Sequence, residues 1–589
     1  MTSKEALEQA RERYALEREK RLRDDGVGQF SLLEGDFADF DTDPYVEPGF
    51  ERQPRVEEVD AVIVGAGFAG MLTAISLTKL GVRNFRIVEK GGDFGGTWYW
   101  NRYPGCMCDV ESYTYLPMLE ETGYMPTEKY ASAPEIFAYC QLLGRTFDLY
   151  ENALFQTEIT TAEWDDDADR WTVKTTRDDV LSSKFFITAG GILHKAKLPG
   201  IPGINDFGGH AFHTSRWDFN YTGGSSREPM DKLADKRVGI IGTGATAIQA
   251  VPKLSDTAEH LYVFQRTPAA VAVRNNGPTD EEWFESLEPG WHEERVVNFT
   301  HAVTGVKPEV NLVGDGWTDV MWENTQATGG DPEEAAALEL SDFETMQAIR
   351  DRVDSMVDDP ETAENLKAWY GKHCKRVTFH DEYLPTFNKE NVTLVDTDGK
   401  GVEQITEAGV VVAGVEYPVD LLIFASGFEV TTDLDRRLGF DPRGRGGVPL
   451  SERWHDGAHT IHGVLSADFP NMMMISIVQA GFGTNFVHFL QKSAEHIAWL
   501  VNHCLNEGIA SIEATPEAEE EWLMELYGVA MGIAGYSGNC TPSYYNSEGQ
   551  ITEKAARNLT YVGSLLDYAG YLERWRDSGD FPGAKVVRS

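Results

Sequence analysis

Cysteine is scarce in this sequence, which has six cysteines among 589 residues. They are Cys106, Cys108, Cys140, Cys374, Cys504 and Cys540. No CxxC pair occurs, and no cysteine–histidine cluster has the spacing of a zinc site. We therefore expect neither a disulfide scaffold nor a metal site.

Basic residues and long apolar runs are also in short supply. The 52 lysines and arginines are outnumbered by 95 aspartates and glutamates, which gives a net charge of −43. That excess repels phosphate backbones and anionic lipid headgroups, and no apolar run approaches the roughly 18 residues of a membrane span. The N-terminus is highly charged where a signal peptide would be apolar. We expect no nucleic acid and no membrane as partners, and a cytoplasmic location.

The residues that are present predict a folded protein with large cores, since 41% are hydrophobic and 11% aromatic. The length allows about four domain-sized units, or fewer large ones. Residues 1–26 predict a charged helix, and residues 30–54 are acidic without clear periodicity. We assign residues 1–50 to an N-terminal extension that either packs on the surface of the following domain or frays. The folded core begins near Val59.

A strand, a glycine-rich turn, a helix and a second strand follow. The strand Asp60–Val64 leads into GAGFAG at residues 65–70, a helix is predicted to Leu80, and the next strand, 86–89, ends in Glu89. The glycines permit a tight turn and close approach of a pyrophosphate, which the helix N-terminus then stabilises. Glu89 stands about 20 residues on, where an acceptor for a ribose 2′-OH belongs. This pattern predicts a dinucleotide site.

The same unit occurs a second time with a different ending. The strand Arg237–Ile241 precedes GTGATA at residues 242–247, a helix is predicted to about Leu254, and the strand 261–264 is followed by Gln265, Arg266 and Thr267. A carboxylate at that position would repel a 2′-phosphate, whereas Arg266 can pair with one. Two such sites with different ends indicate FAD at the first and NADP at the second.

The remainder of the chain is less patterned. Residues 281–369 have the charged, helix-forming composition of a helical insertion, and strands are predicted at 392–395, 421–424 and 472–477. The fold class we predict is α/β, with two Rossmann-like dinucleotide-binding domains and a helical insertion in the second.

Three further motifs give the sequence a family resemblance. They are GTWYWNRYPGCMCD at residues 96–109, FGGHAFHTSRWD at residues 207–218, and ASGF at residues 425–428. The second fits the pattern FxGxxxHxxxW followed by Pro or Asp, and it lies just upstream of the second nucleotide loop. In these motifs the sequence resembles the flavin-dependent Baeyer–Villiger monooxygenases over about residues 59–545. In the third motif Ser426 replaces the family's threonine.

The resemblance implies a specific chemistry. NADPH reduces FAD, the reduced flavin captures O2 as a C4a-peroxide, and the peroxide attacks a ketone that rearranges to an ester or lactone. The protein must position the ketone, stabilise the anionic oxygen and exclude water. A guanidinium suits the stabilising role because it stays protonated and offers several donors. The implied partners are a ketone and molecular oxygen, and the sequence leaves the oligomeric state open.

The resemblance also assigns residues to these roles. The pair Lys375-Arg376 precedes a Tyr-x-x-x-Phe-Asn segment at 383–388. By this match Arg376 stabilises the peroxide, Asp109 holds Arg376 in position, and Lys375 contacts the NADP phosphate. The residues expected to bind cofactor are Gly65, Gly67, Gly70, Glu89, Gly96, Thr97, Trp98, Asp109, Tyr115, Gly242, Gly244, Ala247, Gln249, Arg266, Thr267 and Lys375.

Aromatic and histidine residues in these motifs allow two interpretations. Trp98 and Tyr103 either lie near the flavin or belong to the core. Histidine side chains ordinarily titrate near neutrality, so His213 could act as an acid or base, but the resemblance favours a structural role in coupling a linker to domain motion.

Alternative functions share this dinucleotide-binding plan. A flavin monooxygenase acting on nitrogen or sulfur would carry a related motif, but without the Trp217-Asp218 ending. A flavin disulfide reductase would keep a redox pair near Cys106 and Cys108, but a CxC ring is strained and such enzymes use CxxC or CxxxxC. A flavin-bearing scaffold without activity would have lost catalytic residues, and none is missing. We therefore favour ketone oxygenation.

The predicted domain boundaries follow from the two loops. Residues 51–205 and 430–589 form an FAD-binding domain, and residues 206–428 form an NADP-binding domain with its helical insertion at about 275–370. Linkers near 194–206 and 426–431 would let the second domain shift. The active site is expected in the cleft between the domains.

One loop departs from the family and concerns substrate size. Many members carry Trp-Tyr-x-Gly-x-Asn-x-Pro-Gly-Lys, whereas this chain has GYSGNCTPSY at residues 535–544. Gly535 replaces the tryptophan and Cys540 the asparagine, and the Gly-Lys is lost. Replacing an indole by hydrogen opens volume, unless Tyr544 or Tyr545 refills it. The change predicts a roomy pocket for large cyclic, polycyclic or long-chain ketones.

Overall fold

A computed structural model describes residues 3–31, 33, 35–321, 332–531, 536, 538–550 and 552–588. Two sheets built on parallel strands, with helices on their faces, form its centre, which confirms the predicted α/β class. Each sheet contains one of the two glycine-rich loops, placed where the chain leaves the carboxyl end of a central strand.

The first sheet is mixed. Its strands, in spatial order, are Ala153–Leu154, Phe85–Val88, Val56–Val64, Val180–Thr188, Arg170–Thr175 and Ile159–Asp165, and Met472–Met474 pairs with Val180–Thr188. The four strands from Ala153–Leu154 to Val180–Thr188 run parallel, and the last two add an antiparallel hairpin. The strand predicted over 472–477 is shorter in the structure, where it ends at Met474. The amide of the next residue, Ile475, still donates to the carbonyl of Thr188 in the sheet.

The second sheet is entirely parallel. Its strands, in spatial order, are Val392–Asp396, His260–Gln265, Arg237–Ile241, Leu421–Phe424 and His210–His213. The three strands at its centre are mostly buried and mostly apolar, as expected for parallel strands covered on both faces. The strands predicted at 392–395 and 421–424 are confirmed.

Crossover helices connect the strands of each sheet. Phe68–Lys79 follows the first glycine-rich loop and packs on the long helix Phe486–Asn506, while Ala245–Ser255 follows the second loop. The helices of the predicted insertion are Glu281–Glu285, Trp291–Val303, Gly316–Met321, Pro332–Met356 and Pro360–Asn365. Helices were expected here, and their presence agrees with the composition of this stretch.

The other helices lie around the two sheets. The α-helices are Ser3–Arg21, Thr97–Trp100, Ser112–Tyr115, Leu119–Thr122, Ala133–Thr146, Phe219–Thr222, Tyr383–Thr386, Leu434–Leu438, Leu450–Arg453, Pro516–Ala530, Glu553–Arg557 and Leu565–Asp577. The 3-10 helices are Gly26–Gln29, Gly35–Asp41, Leu149–Asn152, Ile204–Asp206, Thr214–Arg216, Arg445–Gly447 and Tyr544–Gly549. Within the part of the chain that the structure describes, no helix combines the length and apolarity needed to cross a bilayer.

Four small sheets complete the architecture. They pair Phe30–Ser31 with Leu198–Pro199, Val271–Ala272 with Thr378–Phe379, Gln404–Ile405 with Gly409–Val412 and Val415–Pro418, and Ile509–Ala514 with Ala584–Arg588. The first of these sheets fastens the N-terminal extension to the residues just before the second domain. The extension therefore packs on the folded core, one of the two outcomes its sequence allowed.

Candidate active site

The first glycine-rich loop turns tightly against its own sheet. Gly65 has φ +101°, and a Cβ there would lie 2.7 Å from the carbonyl oxygen of Ala189. A Cβ on Gly70 would lie 1.9 Å from the carbonyl oxygen of Gly65, so the helix can pack this closely only because glycine is present. At Gly67 a Cβ would make only an ordinary 3.4 Å contact, with Gly96. Protein packing therefore requires the first and third glycines, whereas the second leaves backbone open to a ligand.

Glu89 lies directly beneath this loop and is almost fully buried. Its Oε2 accepts a hydrogen bond from the Ala66 amide at 2.7 Å, and its Oε1 accepts one from Gly91 at 2.6 Å. Burial raises the pKa of Glu89, and the two amides oppose that shift. Each carboxylate oxygen can accept a further hydrogen bond, so the residue can still accept a ribose hydroxyl.

The motif at residues 96–109 adjoins the same loop. Gly96 packs on Gly67, where a Cβ would come within 2.6 Å of the Gly67 Cα. The short helix that begins at Thr97 places the Trp98 indole Nε1 3.0 Å from the Tyr115 hydroxyl, to which it donates. These residues form one wall of a cavity beside the first glycine-rich loop.

The second glycine-rich loop repeats this geometry. Gly242 has φ +114°, and a Cβ there would lie 2.5 Å from the carbonyl oxygen of Ala425, whereas a Cβ on Gly244 would meet no protein atom within 4 Å. Ala247 is buried in the helix behind the loop. Gln249 joins the two halves of the molecule: it accepts from the Tyr103 hydroxyl at 2.8 Å and donates to the carbonyl of Met107 at 3.0 Å.

A group of cations lies at the end of the strand His260–Gln265. Arg266 and Thr267 follow the strand directly, and Lys375 faces the same corner of the cavity. Enclosure there lowers the pKa of Lys375 to about 8, and repulsion from Arg266 contributes to the shift. The N-terminal helix adds Arg21, whose Nε donates to the Arg266 carbonyl and the Thr267 hydroxyl at 3.1 Å each. The sequence did not indicate that the extension reaches this corner.

Arg376 and Asp109 form a two-bond ion pair inside the cavity. Arg376 Nε donates to Asp109 Oδ2 at 2.9 Å and Nη2 donates to Oδ1 at 2.7 Å. The guanidinium lies over the Trp317 ring, 4.6 Å from its centroid. Burial lowers the pKa of Arg376, but the charge and hydrogen bonds of Asp109 outweigh it, and the net pKa is raised. Arg376 therefore stays charged at any working pH.

A cavity of about 2840 Å³ connects these groups. Both glycine-rich loops, Glu89, the cation corner and the Arg376–Asp109 pair line it. Of the residues that the sequence assigned to the site, Gly70 and Ala247 alone do not line it, because they lie behind their loops in the helix packing. The cavity exceeds the roughly 300–1,000 Å³ of an ordinary ligand pocket. It has room for more than one large ligand.

The cavity fits the two dinucleotides that the loops predict. Gly67 and Gly244 are small where the protein itself has room for a side chain, which is what close approach of a pyrophosphate to the backbone requires. Glu89 at the first loop can accept a hydrogen bond from a free ribose hydroxyl. Arg266 at the second loop has the positive charge that a 2′-phosphate requires.

A disulfide bond connects two walls of the cavity. Cys374, which directly precedes Lys375, is bonded to Cys540. In addition, the Ser543 hydroxyl donates to the carbonyl of Cys374 at 2.9 Å. The sequence analysis did not find this pair, because the two cysteines lie 166 residues apart and neither belongs to a recognisable cysteine pattern.

The neighbouring cysteines Cys106 and Cys108 are both free and buried. Burial raises the pKa of each thiol, to about 12 for Cys106. A redox pair needs an exposed thiolate of low pKa, so these two residues do not have the properties of a disulfide reductase centre.

His213 is fully buried, and its imidazole packs edge-on against Phe428, 5.4 Å between ring centroids. Its Nδ1 accepts from the Ser215 amide at 3.2 Å. Burial lowers the pKa of His213 to about 3, so the ring is neutral near pH 7. A neutral ring wedged against the predicted linker agrees with a structural role and leaves it little capacity as a base.

Several residues around Arg376 and Asp109 were given no catalytic or cofactor-binding role by sequence reasoning. Trp317 belongs to the helical insertion, where nothing local marks a site residue. Tyr544 and Tyr545 lie close enough to Arg376 for their hydroxyls to affect its charge equilibrium. Arg274 donates to the carbonyl of Cys108, the residue before Asp109. Gly535, on which the pocket-size prediction rests, lies outside the described residues.

Comparison with known proteins places this geometry in a class and then in a family. Residues 62–276 match the family model described as pyridine nucleotide-disulphide oxidoreductase. The chain is 47% identical to pentalenolactone D synthase of Streptomyces arenae over 98% of this chain and 100% of that protein. It is 45% identical to Baeyer-Villiger monooxygenase 4 of Dietzia sp. (strain D5), covering 97% of this chain and 96% of the relative.

A solved structure agrees with these relatives. The polycyclic ketone monooxygenase from the thermophilic fungus Thermothelomyces thermophila superposes with a TM-score of 0.93 at 38% identity, covering 99% of both chains. The chain belongs to the flavin-dependent Baeyer–Villiger monooxygenase family, and the family indicated by its sequence motifs is confirmed.

Proposed function

We propose that this protein is an FAD-containing, NADPH-dependent monooxygenase that inserts one oxygen atom beside a ketone carbonyl. The reaction converts a ketone, O2, NADPH and a proton into an ester or lactone, NADP⁺ and water. The observation that carries the proposal is the Arg376–Asp109 pair, which lies in one cavity with both dinucleotide loops. Membership of the family supports the same reaction and the same two cofactors.

FAD would lie along the first loop. The backbone around Gly65 and Gly67 would receive the pyrophosphate at the N-terminus of the helix Phe68–Lys79, and Glu89 would accept the ribose hydroxyl. Gly96, Thr97, Trp98 and Tyr115 would border the ring system. FAD, once reduced by NADPH, supplies the oxygen chemistry of the reaction.

NADPH would lie along the second loop. The backbone around Gly242 and Gly244 would receive its pyrophosphate, and Arg266, Thr267 and Lys375 would hold the 2′-phosphate. Gln249 would fix the loop relative to the first domain through its bonds to Tyr103 and Met107. By this assignment residues 206–428 move as the NADP domain against residues 51–205 and 430–589.

Arg376 would supply the fixed positive charge of the reaction. Its guanidinium keeps Nη1 free of the Asp109 pair, so a donor remains for an anionic oxygen and for the carbonyl oxygen as negative charge develops there. Asp109 would keep the group oriented and charged. The surrounding walls would exclude water, which strengthens each of these interactions.

The substrates proposed are bulky cyclic, polycyclic or long-chain ketones. Two of the similar proteins support this, since one is a polycyclic ketone monooxygenase and the other a pentalenolactone D synthase. The replacement of a family tryptophan by Gly535 adds a reason from the sequence alone.

The test begins with the spectrum of the purified protein, which should show bound FAD. NADPH consumption and O2 uptake should rise together when a ketone is added, and mass spectrometry should find a product heavier by one oxygen atom. Sulfides and amines serve as competing substrates in the same assay. An enzyme that oxidises only sulfur or nitrogen contradicts the ketone assignment.

Substrate size has a separate test. We expect the parent to prefer large-ring and steroid ketones to small rings at fixed NADPH. Gly535→Trp should shift the ranking toward small rings. A parent that prefers small rings, with a ranking unchanged in the variant, contradicts the enlarged pocket.

A further inference from the structure

One short segment reaches from the cation corner to the neighbourhood of Arg376. It is the 3-10 helix Tyr544–Gly549, in which Ser547 and Glu548 have φ +51° and +57°. Consecutive non-glycine residues in the left-handed region are unfavourable, so contacts elsewhere must hold them there. Hydrogen bonds from the backbone amides of Ser543 and Gly549 to the Asn546 side chain, at 2.9 and 3.1 Å, stabilise the segment itself.

Glu548 is the residue by which this segment contacts the cation corner. Its side chain is only 5% exposed, with Oε2 3.3 Å from Arg266 Nη2 and Oε1 3.6 Å from Lys197 Nζ. Lys375 is near enough for the carboxylate to oppose the fall in its pKa. The buried Glu548 carboxylate thus faces three cations. Its backbone has a left-handed conformation that is unfavourable for a residue other than glycine.

Two of these cations, Arg266 and Lys375, are the ones that we assign to the coenzyme 2′-phosphate. A phosphate dianion placed between Arg266 and Lys375 would lie beside the Glu548 carboxylate, and two buried anions in contact repel strongly. Either the carboxylate moves away or the phosphate binds more weakly.

We propose that Glu548 is an internal competitor of the coenzyme 2′-phosphate, pairing with Arg266 and Lys197 until the phosphate displaces it. This inference rests on the proposed NADPH site and deepens it. Glu548 lowers the affinity for NADPH specifically, because NADH brings no group that needs these cations. Displacement of Glu548 also releases the segment that carries Tyr544 and Tyr545 next to Arg376. Coenzyme binding at the cation corner therefore alters the surroundings of Arg376.

The test uses fragments that carry the phosphate without the nicotinamide. Titration calorimetry on the FAD-loaded enzyme measures binding of 2′,5′-ADP and of 5′-AMP. Glu548→Gln should tighten binding of 2′,5′-ADP by about five- to tenfold, in the range of one typical hydrogen bond. Binding of 5′-AMP should change less than about twofold, within the range of an ordinary surface substitution. Glu553→Gln is the matched control, because Glu553 is exposed and lies five residues further along the chain. This substitution removes the same charge and should change the dissociation constant of neither 2′,5′-ADP nor 5′-AMP.

Steady-state kinetics give a second readout. Glu548→Gln should lower KM for NADPH and leave KM for NADH and the turnover number near their parental values, a split that general loosening of the structure would not produce. In Arg266→Ala, the further change Glu548→Gln should tighten 2′,5′-ADP binding by much less than it does in the parent.

Several outcomes overturn the proposal. If Glu548→Gln weakens 2′,5′-ADP binding or leaves it unchanged, Glu548 orders the cations and does not compete for them. If the variant does not fold, Glu548→Asp replaces it; the shorter carboxylate withdraws from both cations, and unchanged binding in that variant has the same meaning. If the parent itself binds 2′,5′-ADP no better than 5′-AMP, the proposed NADPH site fails and this inference with it.

Discussion

Asp109 accepts two hydrogen bonds from the guanidinium of Arg376, although the residues lie 267 positions apart in the chain. Asp109 belongs to the predicted FAD-binding domain and Arg376 to the predicted NADP-binding domain. Any movement of one domain relative to the other therefore changes the geometry of this ion pair. A bidentate carboxylate fixes the plane of a guanidinium as well as its charge. The pair therefore fixes where positive charge stands in the cavity.

Arg376→Lys should bind FAD normally but form ester at least about 10²-fold more slowly, the usual loss for one oxyanion donor. Lysine keeps the charge and loses the planar fork, so the change isolates geometry. Product formation and NADPH oxidation are measured separately. The matched control is Arg237→Lys, because Arg237 makes a similar bidentate pair with Asp420 outside the cavity. Parental turnover in Arg376→Lys would show that the role belongs to another residue.

Asp109→Asn should slow oxygenation less severely, by about tenfold, because the amide still orients Arg376 through one acceptor. The double variant with Arg376→Lys should be little worse than Arg376→Lys alone, since the two residues act as one unit. Effects that multiply fully would mean that Asp109 acts on the substrate independently of Arg376.

Arg266→Ala should raise KM for NADPH by about ten- to a hundredfold, which corresponds to the loss of one or two charged hydrogen bonds to phosphate. KM for NADH should change little, since NADH lacks the 2′-phosphate. Both constants are measured under the same salt concentration because charge contacts are screened. Equal effects on the two coenzymes would remove Arg266 from phosphate recognition.

The efficiency with NADPH should fall as pH rises through about 8. Burial and repulsion from Arg266 place the pKa of Lys375 there, so the lysine is charged below that pH and neutral above it. Only the charged form attracts the phosphate, and kcat/KM reports groups of the free enzyme. Arg21, Lys197 and Glu548 also face Lys375 and contribute to its pKa. Lys375→Arg should move the fall out of the measured range, and a fall that persists in this variant belongs to another group.

Reduction of the Cys374–Cys540 disulfide should lower the melting temperature. A disulfide stabilises mainly by constraining the unfolded chain, typically by about 2–4 kcal/mol. The double variant Cys374→Ser/Cys540→Ser should melt at the temperature of the reduced parent and should not respond to dithiothreitol. A parent that is indifferent to the reductant contradicts this expectation.

The sequence predicted the two nucleotide-binding units well because their signals are local. The strand Arg237–Ile241 was placed at its observed bounds, and the helices after both loops end within a residue of the predicted positions. In each unit the strand, the glycine-rich turn and the helix follow one another directly in the chain. A single stretch of sequence therefore contains all the residues that specify the unit. Family motifs then singled out Arg376 and Asp109, which composition could not have distinguished among so many charged residues.

The parts that escaped prediction depend on contacts distant in sequence. Cys374 and Cys540 carry no pattern, and Arg21 lies in a helix whose charges resemble any solvated surface. Ser547 and Glu548 are consecutive non-glycine residues with left-handed backbones, so local propensity argues against their conformation. In each case the tertiary environment decides, and a single sequence does not display it.

The contacts of the N-terminal extension also set an order of events during synthesis. Arg21 leaves the ribosome 245 residues before Arg266, its acceptor, and Gln550 is made 526 residues after Asp24, to whose carbonyl it donates. At about 5–20 residues per second, the first helix waits roughly 12–50 seconds for Arg266 and longer for Gln550. The contacts that hold the extension on the rest of the protein are therefore complete only when nearly the whole chain has been made.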